Sequence, residues 1–203
     1  LHLCHHNLET IDTDKIDIGK AKHDLLLEVC YAAKYEGESI TRYHPQHKRT
    51  NLDTNSQICT VLARSFADIG DIVRGRDLFL GNPEEIKQRK KLDDKLKTIF
   101  GKIHEGLKNG RTNGEAAKEY YQDKNGDNFF KLREDWWALN RDQVWKAITC
   151  DAQGFDYFRP TCIDGQSGAQ AKNKCRCNGD EPKADKQNVD PPTYFDYVPQ
   201  FLR

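Results

Sequence analysis

The chain has 203 residues, which suits one large domain or two small ones. Hydrophobic residues make up 36% and charged residues 32%, so a modest core with long polar loops is expected; 10% aromatics and periodic apolar clusters exclude a disordered chain. Lys and Arg (32) balance Asp and Glu (32), which argues against a general nucleic-acid binder, and no window approaches the ~20 apolar residues of a membrane span.

Residues 1–18 read as irregular and lack the apolar core of a secretory signal. Gly19 to about Tyr35 reads as a helix, with Leu25, Leu26, Val29, Cys30 and Ala33 on one face. Glu36-Gly37-Glu38 is expected to end or interrupt it, Gly37 taking a left-handed cap. Residues 41–56 have no period and read as a loop carrying Arg42, His44, His47, Lys48 and Arg49. A second helix spans 56–74, with Ser56 as N-cap and a break at Gly75. Its apolar face is Ile58, Leu62, Phe66, Ile69 and Val73, and Arg64, Asp68, Asp71 and Arg74 occupy the other sides.

A third helix starts after Asn82-Pro83, where proline suits the first turn, and runs to the stop signal Asn109-Gly110. Glu115 to Tyr121 adds a short helix, and Asp123 to Asn128 is a turn. The strongest helix runs from about Leu132 to Thr149, with Leu132, Trp136, Leu139, Val144, Ala147 and Ile148 on a broad apolar face. Residues 151–195 read as a long disulfide-tied loop, and Tyr194 to Leu202 as the start of another helix. With no internal repeat and no strand alternation, the fold class is mainly α.

The familiar catalytic patterns are absent. Gly165-Gln166-Ser167-Gly168 is not a nucleophile elbow, and neither a phosphate loop nor a dinucleotide fingerprint occurs. Asp68 and Asp71, three apart on a helix, are candidates for paired acid–base work, but Arg64, Arg74 and Arg76 stand close enough to make a structural ion-pair network the better expectation. The same expectation holds for Arg133, Glu134, Asp135, Arg141 and Asp142. Trp136 belongs to the apolar stripe; Trp137 and Trp145 remain open between core and a sugar-stacking platform.

Zero net charge hides a local field. Between Glu84 and Arg111 there are nine basic and five acidic residues, an excess of four positive charges. Lys87, Arg89, Lys90, Lys91 and Lys95 carry most of it, and Arg42, Lys48 and Arg49 form a second basic patch. Clustered Lys and Arg attract sulfated polysaccharide by charge neutralisation. These eight residues are the candidate glycan- or receptor-binding positions.

Seven cysteines, Cys4, Cys30, Cys59, Cys150, Cys162, Cys175 and Cys177, leave one unpaired in a disulfide framework, and Cys4 at the start of the chain is the natural leftover. The other six are expected to form three bridges. Cys30 and Cys59 each tie a helix to Cys150 or to the Cys175/Cys177 pair, and Cys162 closes a local loop; the pairing stays open. Bridges over long loops stabilise by roughly 2–4 kcal/mol each and point to an oxidising, extracellular setting. The zinc alternative lacks a second knuckle beside Cys175-x-Cys177, so no metal is expected.

Four blocks carry a resemblance. They are Leu1-His2-Leu3-Cys4 with Asn7-Leu8-Glu9; Ala32-Ala33-Lys34-Tyr35-Glu36-Gly37-Glu38-Ser39-Ile40; Ala63-Arg64-Ser65-Phe66-Ala67-Asp68-Ile69-Gly70-Asp71 running to Asp77; and Leu132-Arg133-Glu134-Asp135-Trp136-Trp137 running to Ala147. Asp196-Tyr197-Val198-Pro199-Gln200-Phe201-Leu202-Arg203 closes the chain as a fifth. In this order they resemble the Duffy-binding-like domain, alpha class, of the malaria-parasite erythrocyte membrane protein 1 family. The resemblance implies a disulfide-tied helical fold with long irregular loops, and a fragment. Residues 1–55 would be a loop-rich first subdomain with one helix, and 56–203 a helical second subdomain truncated at its C-terminus, the third subdomain being absent.

It further implies an extracellular adhesion module on the infected red-cell surface, active in rosetting or cytoadherence and subject to antigenic variation. The implied partners are host receptors (heparan sulfate-type glycans, blood-group sugars or a complement receptor), neighbouring domains of the same chain and host antibodies. Nucleic acid, membrane contact by this segment, cofactors and enzymatic activity are not implied. The alternative is a scaffold that presents variable loops without touching a receptor.

Overall fold

The computed structural model describes residue 8 and residues 11–44, 57–78, 81–107, 114–122, 128–152, 161–163, 168–171, 174–177 and 190–203, with the backbone of 45–50 carried in a helix. Among these residues the elements in chain order are α1 (Ala21–Thr50), α2 (Ile58–Arg74), α3 (Pro83–Gly106), α4 (Gly114–Tyr120) and α5 (Phe130–Ile148), then strands β1 (Cys162–Ile163) and β2 (Gly168–Ala169). Short 3-10 turns occupy Thr13–Lys15, Phe195–Tyr197 and Gln200–Leu202, so the segment after Tyr194 forms single turns where a helix was expected. The strands pair antiparallel, Cys162 opposite Ala169, and are too short for any alternation to register in sequence. The fold is mainly helical, as expected.

Local chemistry explains several boundaries. Asn82 caps α3 by accepting from the Glu85 amide at 3.0 Å while the Glu85 carboxylate accepts from the Asn82 amide at 3.0 Å, a reciprocal capping box with Pro83 in the first turn. Gly75 ends α2 with φ +72°, a conformation that costs side-chain-bearing residues energy.

Gly37 requires a correction. It does not end α1; the helix passes through it to Thr50. A Cβ there would stand 1.9 Å from the backbone oxygen of Ile148, so glycine is what lets α1 approach the end of α5. The basic segment containing Arg42, Lys48 and Arg49 is consequently helical up to Thr50, not a loop. Ser56, the expected N-cap of α2, and the turn at 123–127 lie outside the described residues.

The chain forms two compact units. The first takes Leu1–Cys4, Cys30–Gly70 and Arg141–Arg203; the second takes His5–Val29 and Asp71–Asn140. The first unit is built around Leu62, Phe66, Val144, Trp145 and Ile148, all buried. Phe66 meets Trp145 edge-on at 5.3 Å, and the Trp145 indole donates to the Cys175 carbonyl at 3.1 Å. Disulfides Cys59–Cys175 and Cys162–Cys177 fasten this unit. The second unit buries Leu25, Leu96, Ile99, Phe100, Leu132, Trp136 and Trp137, with Phe100 edge-on to Trp136 at 6.1 Å. The face read along α5 fails at Leu139, which is 78% exposed, while Trp137 and Trp145 are both buried. A helix covered on more than one side does not follow a single stripe.

The expectation of three bridges is corrected to two among the described residues. Cys30 and Cys150 carry free thiols. The reason is the register of α1 against α5. Gly37 abuts Ile148, and Cys30, seven residues earlier, lies within the electrostatic reach of Asp142, so these stretches run in the same direction. Seven residues of helix span about 10 Å, beyond the ~4.4–6.8 Å Cα separation a disulfide needs. Cys150 instead lies within the electrostatic reach of Lys34. Burial, reinforced by Asp142, pushes the Cys30 thiol up to about 11. Cys4 lies outside the described residues.

Candidate receptor-binding surface

The candidate surface is the outer face of α3. Lys87, Lys90 and Lys91 are exposed, and their spacing of three and four places them on one side of the helix. No ion pair holds any of the three among the described residues. The other two candidates on this helix have different occupations. Arg89 is ion-paired with Asp77, and Lys95 reaches back to donate to the Ile11 carbonyl at 3.1 Å. Lys102 does the same further along, bonding the carbonyls of Thr13 and Ile16 at 2.6 and 3.0 Å. Three of the nine basic residues counted in the sequence thus have internal partners, and two of them, Lys95 and Lys102, pin the segment before α1 onto α3. Arg42 is exposed on α1; the side chains of Lys48 and Arg49 lie outside the described residues.

Beside the lysines lies an open cavity of about 290 Å³. Its walls are aliphatic, from Ile72, Ile86, Leu92 and Leu96, and its rim carries Asp77, Arg89, Lys90 and Asp93. Both carboxylates are already held: Asp77 by Arg89, and Asp93 by Arg133 at 3.0 Å and Lys97 at 2.9 Å. Lys90 is the rim charge left without an ion pair among the described residues. Arg133 is fully buried; burial pulls its guanidinium below its ordinary value, with Asp93 opposing.

The carboxylates considered for acid–base work sit in separate ion pairs. Asp68 accepts from Arg203 at 2.9 Å in the first unit. Asp71 accepts from Arg74 at 2.9 Å in the second, and Glu134 pairs with Arg76 at 2.7 Å and approaches Arg74 at 3.6 Å. Arg141 is gripped by both oxygens of Asp196 at 2.8 Å and bonds the Thr193 carbonyl at 2.8 Å. Asp135 accepts from the Tyr121 hydroxyl at 2.7 Å; burial and this bond push the Tyr121 phenol up to about 12. The three tryptophans are buried, so none offers a stacking platform. Among the described residues no group of three or more His, Cys, Asp or Glu is placed to hold a metal, and no helix is long and apolar enough to cross a membrane.

The helices, the disulfides of the first unit and the buried arginine pairs of each unit define a disulfide-tied helical domain. The chain belongs to the Duffy binding domain family, whose model matches residues 1–203. It is similar to the NTS-DBL1 alpha-1 domain of PfEMP1 from the varO strain of Plasmodium falciparum, with 42% identity and a TM-score of 0.67, covering 99% of this chain and 40% of that one. It is also similar to an ICAM-1-binding DBLbeta domain of PfEMP1, with 32% identity and a TM-score of 0.66, covering 99% of this chain and 39% of that one. A DBLb domain of PfEMP1 solved bound to human ICAM-1 shares 29% identity with a TM-score of 0.61, over 99% of this chain and 36% of that one. The chain therefore spans well under half the length of these solved relatives. No curated protein matches it. The Duffy-binding-like reading of the sequence holds across the full length.

Proposed function

We propose that the chain is part of an extracellular adhesion module that holds host-cell receptors and performs no catalysis. The observation that carries this reading is the exposed lysine face of α3, Lys87, Lys90 and Lys91, on a domain whose relatives include forms solved with a host receptor bound. Three ammonium groups on one helix face, unpaired among the described residues, favour an acidic polymer, so sulfated glycans of the heparan sulfate type are the first ligand class. Blood-group sugars and complement receptor stand behind them, in rosetting or cytoadherence at the infected red-cell surface. The division into a subdomain 1–55 and a subdomain 56–203 is retained as part of the same proposal.

Heparin chromatography across a salt gradient tests it. Reversal of Lys87, Lys90 and Lys91 to Glu, leaving the internally bonded Arg89 and Lys95 in place, is expected to abolish salt-dependent retention. Unchanged retention would rule this face out. The second reading, a scaffold presenting variable loops, draws on the internal use of Arg89 and Lys95, which leaves less free charge than the sequence suggests. It gains if the lysine face proves silent in binding to glycans, red cells and endothelial cells.

A further inference from the structure

We propose that the cavity beside Lys90 docks a protein partner through an acidic residue adjacent to a leucine- or phenylalanine-type side chain. The apolar side chain enters between Ile72, Ile86, Leu92 and Leu96, and the neighbouring carboxylate rests on Lys90. Three observations select this occupant. First, the walls are aliphatic, and among the described residues no aromatic ring lines the cavity to receive the face of a sugar. A sugar's hydroxyls would lose water there without gaining partners, which is costly. Second, among the described residues the rim offers one unspent charge, and it is positive: Asp77 is held by Arg89, and Asp93 by Arg133 and Lys97. Third, Ile86 lines the cavity and is 47% exposed, so the apolar wall reaches solvent at the mouth.

Interfaces concentrate their energy in this manner, with a buried anchor in a pocket and a charge at the edge that orients it. A cavity of about 290 Å³ has room for one such anchor. The inference rests on the adhesion reading in general, not on heparin: loss of heparin binding in the triple lysine reversal leaves the dipeptide experiment below free to stand or fall alone.

That experiment is amide chemical-shift titration of the isotopically labelled chain with acetyl-Glu-Leu-amide, acetyl-Lys-Leu-amide, acetyl-Glu-Ser-amide and a fully sulfated heparin disaccharide. The Glu-Leu probe is expected to give saturable shifts at Ile72, Gly75, Ile86 and Lys90. Replacing either of its side chains should weaken it about tenfold, the equivalent of ~1.4 kcal/mol. Lys90→Glu should reverse the preference between Glu-Leu and Lys-Leu, and Ile86→Ser should weaken both. Both positions are exposed, so neither variant empties the core. Equal binding of all three dipeptides, no saturable shift at these residues, or saturation by the disaccharide alone would overturn the proposal, the last outcome assigning the cavity to glycan.

Discussion

Each unit buries an arginine on α5, and the two are treated differently. In the first, Arg141 is matched: both Asp196 oxygens, the Thr193 carbonyl and the rings of Phe66, Tyr194 and Tyr197 at 5.8, 5.6 and 5.1 Å enclose it. Burial alone would lower its hold on the proton, but the bond to Asp196, with help from Asp190, carries it above its ordinary value. In the second, among the described residues, Arg133 has a single carboxylate, Asp93, that is itself partly solvated, and its Nε and Nη2 have no hydrogen-bond partner. There burial wins and the guanidinium falls below its ordinary value. A buried charge stabilises a fold only when its partners replace what water supplied. By that measure Arg141 is a clamp on the C-terminal segment, whereas Arg133 is a burden the second unit carries.

The sharpest way to break the comparison is Arg141→Met. It takes from the buried Asp196 carboxylate the guanidinium that bonds both its oxygens, and removal of one partner from such a pair typically costs about 3–5 kcal/mol. Urea denaturation should show a loss of that order, with the segment around 193–203 losing protection in hydrogen exchange. Next in size is joint replacement of Cys59 and Cys175 by alanine. The bridge closes a separation of 116 residues, and losing a native disulfide costs ~2–5 kcal/mol. Protection should fall in the first unit, which holds both bridges. On the intact chain at pH 8, alkylation should reach the exposed Cys150 well before Cys30, since a thiol raised to about 11 holds little thiolate there. Equal labelling would contradict the buried setting of Cys30.

Gly37→Ala sharpens the contrast within the first unit. An added methyl meets backbone, not a flexible side chain, so the helices must part; overpacking of this kind costs about 1–3 kcal/mol. Ala normally improves a helix interior over Gly by ~1 kcal/mol. A stabilised variant would therefore show that α1 and α5 do not approach as described.

Gly37 also marks where the sequence stops being readable. The start of α3 and the break at Gly75 were legible because their causes are local: Asn82, Pro83 and Glu85 lie within one turn. The reason for Gly37 lies at Ile148, and that of Arg141 lies 55 residues on at Asp196, so neither is visible to a window of sequence. The basic run on α3 was legible as charge but not as function. Nothing in its composition separates Lys95, which is bonded to Ile11, from Lys90, which is not. The Cys175/Cys177 pair is similar: close spacing announces bridges, but only the fold decides that Cys59 takes Cys175 and Cys162 takes Cys177. The cavity had no sequence signal at all, being assembled from α2, the turn at Gly75 and one side of α3.

The smallest expected effect is the most discriminating. Arg133→Met keeps the apolar stem against Phe100, over which the guanidinium now sits at 5.3 Å, and removes two buried N–H-bearing nitrogens that have no acceptor among the described residues. Asp93 is not stranded by the change, because Lys97 still pairs with it at 2.9 Å and solvent reaches it. Replacing an under-satisfied buried charge by an apolar side chain of similar reach is often neutral or stabilising. The midpoint of denaturation should therefore stay within experimental error of the parent or rise. The same substitution at Arg141 lowers it steeply. Two Arg→Met changes on one helix with opposite outcomes would establish that partner supply, not burial, sets the worth of each arginine. A loss at Arg133 matching that at Arg141 would mean that the second unit depends on its ion pair as heavily as the first.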